Sequence, residues 1–276
     1  MTTIAIVGGG PRGLSVLERL GAGLDAGSRD LEVVLFERSA PGAGRVWDPR
    51  QPRELLMNTR AGEVTVFVDD TVPVSLPVRH GPSLVEWSGA VAGAAPWAPE
   101  WAWLDPPSAS DVVPALPEAY VRATPIGFPP RALYGAYLAW AYRAVTAALP
   151  AGVSVRRVAR RVLDVREAGD RAVVVDEDGE ETVARAVVLA LGWLDAEHTV
   201  PRGPGAGRWI GPDSPADQPL DAIGAGEPVL LSGLGMSLFD NLSRLTEGRG
   251  GVFAERPDGG LSYVPSGREP HLLVGS

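Results

Sequence analysis

TTIAIVGGGPRG, running from Thr2 to Gly13, decides how the rest of the chain is read. Thr3 to Val7 form a short apolar, β-branched run that breaks into Gly8, Gly9 and Gly10, after which Gly13, Leu14, Leu17 and Leu20 take up helical spacing. The pattern predicts strand, tight turn, helix. Gly8, Gly10 and Gly13 match G-x-G-x-x-G: the first glycine permits the turn, the second lets a pyrophosphate reach the backbone, and the third lets helix and strand pack closely. Pro11 and Arg12 open the helix, whose first amides face a phosphate. A glycine-rich turn that holds no ligand would satisfy the same local pattern.

The context that the motif requires follows it. LEVVLFE, Leu31 to Glu37, is a second buried-looking strand whose closing carboxylate lies about 20 residues downstream, where the fingerprint places a ribose ligand. Glu37 can accept bonds from a ribose diol and would repel a 2′-phosphate, so the site suits adenosine with a free 2′-hydroxyl, as in FAD or NAD. A solvated strand end is the bland reading of Glu37.

Composition narrows the chemistry. The 276 residues are 45% hydrophobic and 21% charged with net charge -9, which fits a globular chain of one or two domains. Arg156, Arg157, Arg160 and Arg161 alternate with apolar residues in a strand-like segment and make no basic stripe, so neither nucleic acid nor an anionic membrane is expected as a partner. Every basic residue is arginine; the absence of lysine removes a Schiff-base, pyridoxal phosphate or P-loop lysine. The absence of cysteine removes disulfides, thiolate metal sites and a redox dithiol. Redox chemistry must therefore reside in a bound organic cofactor. His80, His198 and His271 show no metal-ligand spacing, and no metal is expected. Without a leader-like N-terminus or a long apolar segment, the expectation is a cytoplasmic chain with no membrane span.

Beyond Glu37, the loop RSAPGAGRVWDPRQPRELLMNT carries Trp47, placed either against a ligand or as a plug on the core. Residues 62–127 mix Trp87, Trp97, Trp101 and Trp103 with many prolines and read as an irregular insertion, either a satellite core or a lid. RALYGAYLAWAYRAVTAAL, from Arg131, is a helix after Pro129 and Pro130, with one apolar face. Val153–Val158, Arg161–Glu167 and Arg171–Asp176 read as a β-meander completed by Thr182–Arg185, and Ala186–Leu191 as a buried strand. PVLLSGLGMSLFDNLSRL repeats the opening logic with Gly233 and Gly235 but has Leu238 at the third glycine position. A second nucleotide or an empty turn both fit. RGGVFAER would be the strand after it, and its Glu255 and Arg256 favour a ribose diol and a 2′-phosphate respectively, leaving NADH and NADPH both open.

Taken together, IVGGGPRGLSVLERL, FER, GRVWDP, LLMNT, FPPRALYGAYLAW, VVLALG and GLGMSLFD resemble the FAD/NAD(P)-binding flavoproteins with two dinucleotide-binding domains, and within them a bacterial set that includes amino-acid N-hydroxylating monooxygenases. The resemblance is weakest across residues 90–123. It implies that Gly8, Gly10, Pro11, Arg12 and Gly13 hold the FAD pyrophosphate, that Glu37 with Arg38 holds the adenosine side, and that Val162 lies near adenine. It places Arg45, Trp47 and Asn58 at the isoalloxazine, Ala190 to Gly192 along the flavin nucleotide, and Gly233, Gly235 and Ser237 at NAD(P)H. In such enzymes the nicotinamide reduces FAD, and in the monooxygenases the reduced flavin passes oxygen to a substrate nitrogen. No acid, base or nucleophile is named, because the cofactor carries that chemistry.

The expected fold is α/β: a doubly wound, Rossmann-like FAD domain over residues 1–223 with a β-meander and an insertion at about 62–127, then a partial NAD(P)-binding unit over 224–276. The family's members are longer, so the second unit is expected to be shortened with impaired NAD(P)H use, to be completed by a second chain or oligomer, or to pack its last elements onto the first domain's sheet. The expected function is an FAD-dependent, NAD(P)H-linked oxidoreductase, most concretely a monooxygenase of a small amine or amino acid. A flavin-binding subunit without independent catalysis, and an FAD oxidase or dehydrogenase that does not use nicotinamide, are the alternatives.

Overall fold

The computed structural model describes all residues except 26, 29, 113–115, 118–119 and 194–206, so His198 lies outside the described residues. The chain divides into two compact units, Met1–Arg50 with Met57–Leu194, and Gln51–Leu56 with Asp195–Ser276.

The first unit is built on four parallel strands: β1 (Thr2–Val7), β2 (Leu31–Phe36), β3 (Val153–Val158) and β7 (Ala186–Leu189), in the order β3-β2-β1-β7. Strand period two sorts their side chains onto opposite faces. Ile6, Val33 and Leu35 enter the large core with Leu14 and Leu17 of α1 (Pro11–Gly23) and with α3 (Arg131–Ala147). Ala5, Val7, Val34 and Phe36 face the other way and meet Val174 and Ala184 of an antiparallel meander. That meander is β4 (Val162–Ala168), β5 (Arg171–Asp176) and β6 (Glu181–Ala184). The sheet is thus covered by helices on one face and by a small sheet on the other, in place of the helices on both faces that double winding implies.

Val153–Val158 differs from its reading as the first meander strand. It pairs in parallel with β2 from Leu31↔Val153 to Phe36↔Val158 and forms the edge of the main sheet. The crossover through α3 brings it back in the same direction as β2, as parallel neighbours require.

Helix α3 is buried on more than one face: Leu133, Ala136, Tyr137, Leu138 and Ala141 are each at most 1% exposed. Helices that are apolar all round belong in a core. The insertion supplies the extra cover, including α2 (Leu84–Val91), which is N-capped by Ser83 and Glu86 in a capping box. Trp140 meets Trp97 at 5.7 Å, Tyr137 at 6.0 Å and Phe67 and Trp87 at 6.2 Å between ring centroids. Its indole N–H donates to the Asp105 carbonyl. Tyr137 donates to the Pro82 carbonyl at 2.7 Å and accepts from the Val66 amide, while burial pushes its phenol pKa up.

The second unit contains β8 (Pro228–Ser232), α4 (Met236–Leu245), a hairpin of β9 (Val252–Glu255) and β10 (Leu261–Val264), and β11 (His271–Gly275). Strands β8 and β11 pair in parallel, and Val229, Leu231 and Leu272 pack against Leu220, Ile223 and Leu245. The alternate residues Leu230 and Leu273 are 70% and 61% exposed. Arginines tie the preceding loop: Arg208 donates to the Ala222 carbonyl, Arg244 to Gln218 and Arg249 to Leu220.

The hairpin is fixed to its following loop by Glu269, which accepts from Tyr263 Oη at 2.6 Å and from the Ser266 and Gly267 amides. The tyrosine bond, followed by the Ser266 amide, holds the Glu269 carboxyl down at about 2. Desolvation, then the carboxylate itself, pushes Tyr263 up to about 12. A depressed carboxyl stabilises above its unfolded value and loses that contribution as pH falls through its folded value; a raised phenol stabilises below its unfolded value and loses it as pH rises. The contact is therefore expected to hold fully between about pH 4.5 and 10. A spectrophotometric tyrosine titration should show Tyr263 among the late-ionising phenols, near pH 12, and Tyr263→Phe should remove one phenol from that late phase and return Glu269 toward ordinary carboxylate behaviour by NMR.

Candidate nucleotide sites

All four strands of the main sheet are parallel, so Gly8, Glu37 and Ala190, which follow β1, β2 and β7, emerge at the same edge. Ligands of open α/β sheets bind at that carboxyl edge. Gly8 has φ +100°, a conformation that favours glycine. A Cβ there would overlap the Ala190 carbonyl oxygen and lie 2.8 Å from its carbon. The turn after β1 and the turn after β7 are thereby pressed together, and the Ala190 amide donates to the Val7 carbonyl at 2.8 Å. Gly10 is the N-cap of α1 with no side-chain cap, Pro11 and Arg12 start the helix, and a Cβ on Gly13 would overlap the Gly8 carbonyl. The helix start is closed against the strand and its orphan amides are left without a capping side chain.

Glu37 is already held. Its Oε2 accepts from the Gly9 amide at 2.8 Å and its Oε1 from the Ser39 amide at 2.7 Å. Each oxygen keeps a second acceptor direction. The carbonyls of Glu37, Arg38 and Ser39 accept from the Arg157 guanidinium, a contact that the sequence offered only as one of four strand-like arginines.

The remaining predicted residues are placed less closely. Trp47 packs edge-on against Tyr134 at 4.7 Å and is half-buried on α3, the packing alternative for this residue. Arg45 and Asn58 are exposed in loops. Val162 opens β4 and packs against the meander-side core. Gly192 has φ +68°, and a Cβ there would meet nothing within 4 Å among the described residues. His80 lies 3.7 Å from Asp70 in an exposed pair. Among the described residues no three His, Cys, Asp or Glu side chains form a metal-binding group, and no helix is long and apolar enough to cross a membrane.

The second unit reproduces the first turn in its backbone. Gly233 has φ +109° against +100° for Gly8, and Gly235 caps α4 at φ -80°, ψ -175° against -72° and -167° for Gly10. Neither helix has a side-chain cap, whereas α2 does. Ser237 lies in the first turn of α4. Two things differ. A Cβ on Gly233 would meet nothing within 4 Å among the described residues where one on Gly8 would meet Ala190, and β9 does not pair with β8. The parallel neighbour of β8 is β11, whose end meets the turn through the bond from the Gly233 amide to the Gly275 carbonyl at 2.7 Å. Glu255 and Arg256 therefore end a hairpin strand, with Arg256 bonded to Asp258 at 3.1 Å, and are not at the neighbouring strand end that selects between NADH and NADPH. The antiparallel pairing with β10, which no local pattern announces, removes β9 from that place.

Residues 5–194 match the FAD-NAD(P)-binding family. Among curated proteins the chain is similar to an L-aspartate N-monooxygenase (nitrosuccinate-forming) of Streptomyces cremeus, 39% identical over 285 residues, covering 99% of this chain and 41% of that protein. It is also similar to a nitrosuccinic acid synthase of Aspergillus oryzae, 40% identical over 286 residues, covering 99% and 39%. The chain thus spans about two fifths of the length of these relatives. Among solved structures it is similar to a flavin-containing monooxygenase from Stenotrophomonas maltophilia, with 24% identity, TM-score 0.36, and coverage of 69% of this chain and 38% of that one.

Proposed function

The chain belongs to the FAD-NAD(P)-binding family, and on that premise we propose that it holds FAD at the Gly8–Gly13 turn and forms the flavin-binding part of an amino-acid N-monooxygenase, with L-aspartate the substrate class that the relatives' names supply. The observation that carries the reading is the preformed edge of the main sheet. There an uncapped helix start, a glycine pressed on Ala190 and a carboxylate fixed by Gly9 and Ser39 lie at the ends of adjacent strands. The α1 amides would receive the pyrophosphate, and Glu37 would accept from the adenosine ribose. When bound, FAD supplies hydride acceptance and oxygen activation. Arg45, Trp47 and Asn58 are proposed to border the flavin ring, with Trp47 steadied by Tyr134.

The repeated turn at Gly233 and Gly235 supports NAD(P)H as the second nucleotide. We assign residues 224–276, packed on Leu220 and Ile223 within the second compact unit, to a partial dinucleotide unit. The open side of Gly233 and the exposed Leu230 and Leu273 favour completion of this unit by a layer from another polypeptide segment that covers this face of the sheet. Without that completion, a flavin-binding subunit lacking its own catalysis is the second reading.

The visible spectrum of the purified chain, before and after anaerobic NADPH and then NADH, tests both sites. Flavin bands that bleach support the complete reading, after which oxygen uptake with L-aspartate is the assay. Bands that persist reject a working second unit in this chain, and failure to take up FAD rejects the first. Glu37→Gln is expected to weaken FAD binding at least about tenfold by fluorescence titration, because its NH2 sets a donor against the Gly9 or Ser39 amide.

A further inference from the structure

We infer that Arg157 is a positioning residue for the adenosine side of the FAD site; the inference rests on the FAD reading above. Arg157 is on β3, opposite Leu35 in the parallel ladder, and its side chain reaches past the end of β2. Its Nε donates to the Glu37 carbonyl at 2.9 Å, and its Nη2 donates to the Arg38 carbonyl at 3.0 Å and the Ser39 carbonyl at 2.7 Å. Three consecutive carbonyls turned toward one point repel unless a cation sits there. Only a planar, multi-donor guanidinium serves all three from one side chain; a lysine would present a point charge.

The other side of the same loop is held by Glu37 itself. Its carboxylate takes the Gly9 and Ser39 amides, and the Glu37 amide donates to the Val158 carbonyl at 3.0 Å. Ser39 is thus gripped twice, by its N–H from Glu37 and by its C=O from Arg157. Moving the Ser39 amide releases one oxygen of the carboxylate that would meet the ribose. Arg157 is exposed, so water can satisfy the three carbonyls after its removal. The loss therefore falls on the order of the loop and leaves the fold intact.

The test uses Arg157→Met and Arg157→Lys. On the ligand-free chain, hydrogen exchange of the Ser39 amide should rise about tenfold in Arg157→Met and less in Arg157→Lys. On the FAD-loaded chain, dissociation constants are compared for FAD and its 2′-deoxyadenosine analogue. The unsubstituted protein should prefer FAD about tenfold, Arg157→Met should narrow that preference to about twofold, and Arg157→Lys should fall between. The melting temperature of Arg157→Met should stay within about 2 °C, since a surface contact carries little global stability. Unchanged Ser39 exchange, or an unchanged preference for FAD over the deoxy analogue, overturns the inference. Absence of FAD binding by the unsubstituted chain overturns the FAD reading, and the Ser39 exchange still decides whether Arg157 orders the loop.

Discussion

Gly135→Ala is expected to lower the unfolding free energy of the first unit by about 3 kcal/mol or more, although alanine in a helix interior ordinarily gains about 1 kcal/mol over glycine. The reversal comes from contact. A Cβ at position 135 would overlap the Trp47 carbonyl oxygen and lie 2.9 Å from its carbon and 3.1 Å from the Pro49 nitrogen. Those atoms are backbone, so no rotamer change relieves the clash, and either α3 or the segment carrying Trp47 must move. Movement of that segment also breaks the 4.7 Å contact of Trp47 with Tyr134. Urea unfolding followed by near-ultraviolet circular dichroism measures the loss. FAD affinity should fall with it if Trp47 borders the flavin. A variant as stable as the parent would show that the loop yields freely and that Gly135 is only a tolerated helix residue.

Trp140→Ala has a comparable expected cost, about 4 kcal/mol, from the range measured for emptying aromatic core sites. Trp140 is 3% exposed and joins α3 to both halves of the insertion through Phe67, Trp87 and Trp97. Its removal leaves a cavity among rings that cannot collapse onto one another, and strands the Asp105 carbonyl that accepts from its indole. Because the chain has two units, its unfolding need not be two-state, and the near-ultraviolet signal of the aromatic cluster is the proper probe. Trp193→Ala, at a side chain 86% exposed, provides the control and should shift stability by about 0.5 kcal/mol or less. Equal effects of the two substitutions would mean that the cluster is packed too loosely to bear the insertion.

The parts of this molecule legible in its sequence are those written in local order. β1, the glycine turn, α1 and β2 each carry their own periodicity, and Glu37 closes β2 where the turn requires a carboxylate. The repeated turn at Gly233 was equally visible, since strand, G-x-G and helix are contiguous there. Pairing between distant strands was not. VSVRRV alternates as an edge strand of a parallel sheet does and as a meander strand does; only the return path through α3 separates the two. VFAE at 252–255 has the composition of a nucleotide-domain strand, yet it turns back on Leu261–Val264 and yields its place to β11. The second buried face of α3 was hidden because the insertion that covers it lacks periodicity. Arg157 was readable as a strand arginine, and nothing in its neighbours points to carbonyls of residues 37–39, which lie about 120 positions earlier.

The absence of lysine, together with the use of Arg157, Arg208, Arg244 and Arg249 to tie loop carbonyls, gives the folded chain an uneven chemical vulnerability. Acylating reagents find no side-chain amine anywhere in these 276 residues and should leave the loop-tying contacts of both units as they are. A dicarbonyl such as phenylglyoxal attacks the guanidinium groups themselves, and each adduct replaces the fork of donors on which a loop depends. Protection of Arg157 from phenylglyoxal would then report on the loop after β2, while modification of Arg208, Arg244 and Arg249 would report on the loop ahead of β8, each read as a mass shift on a separate peptide.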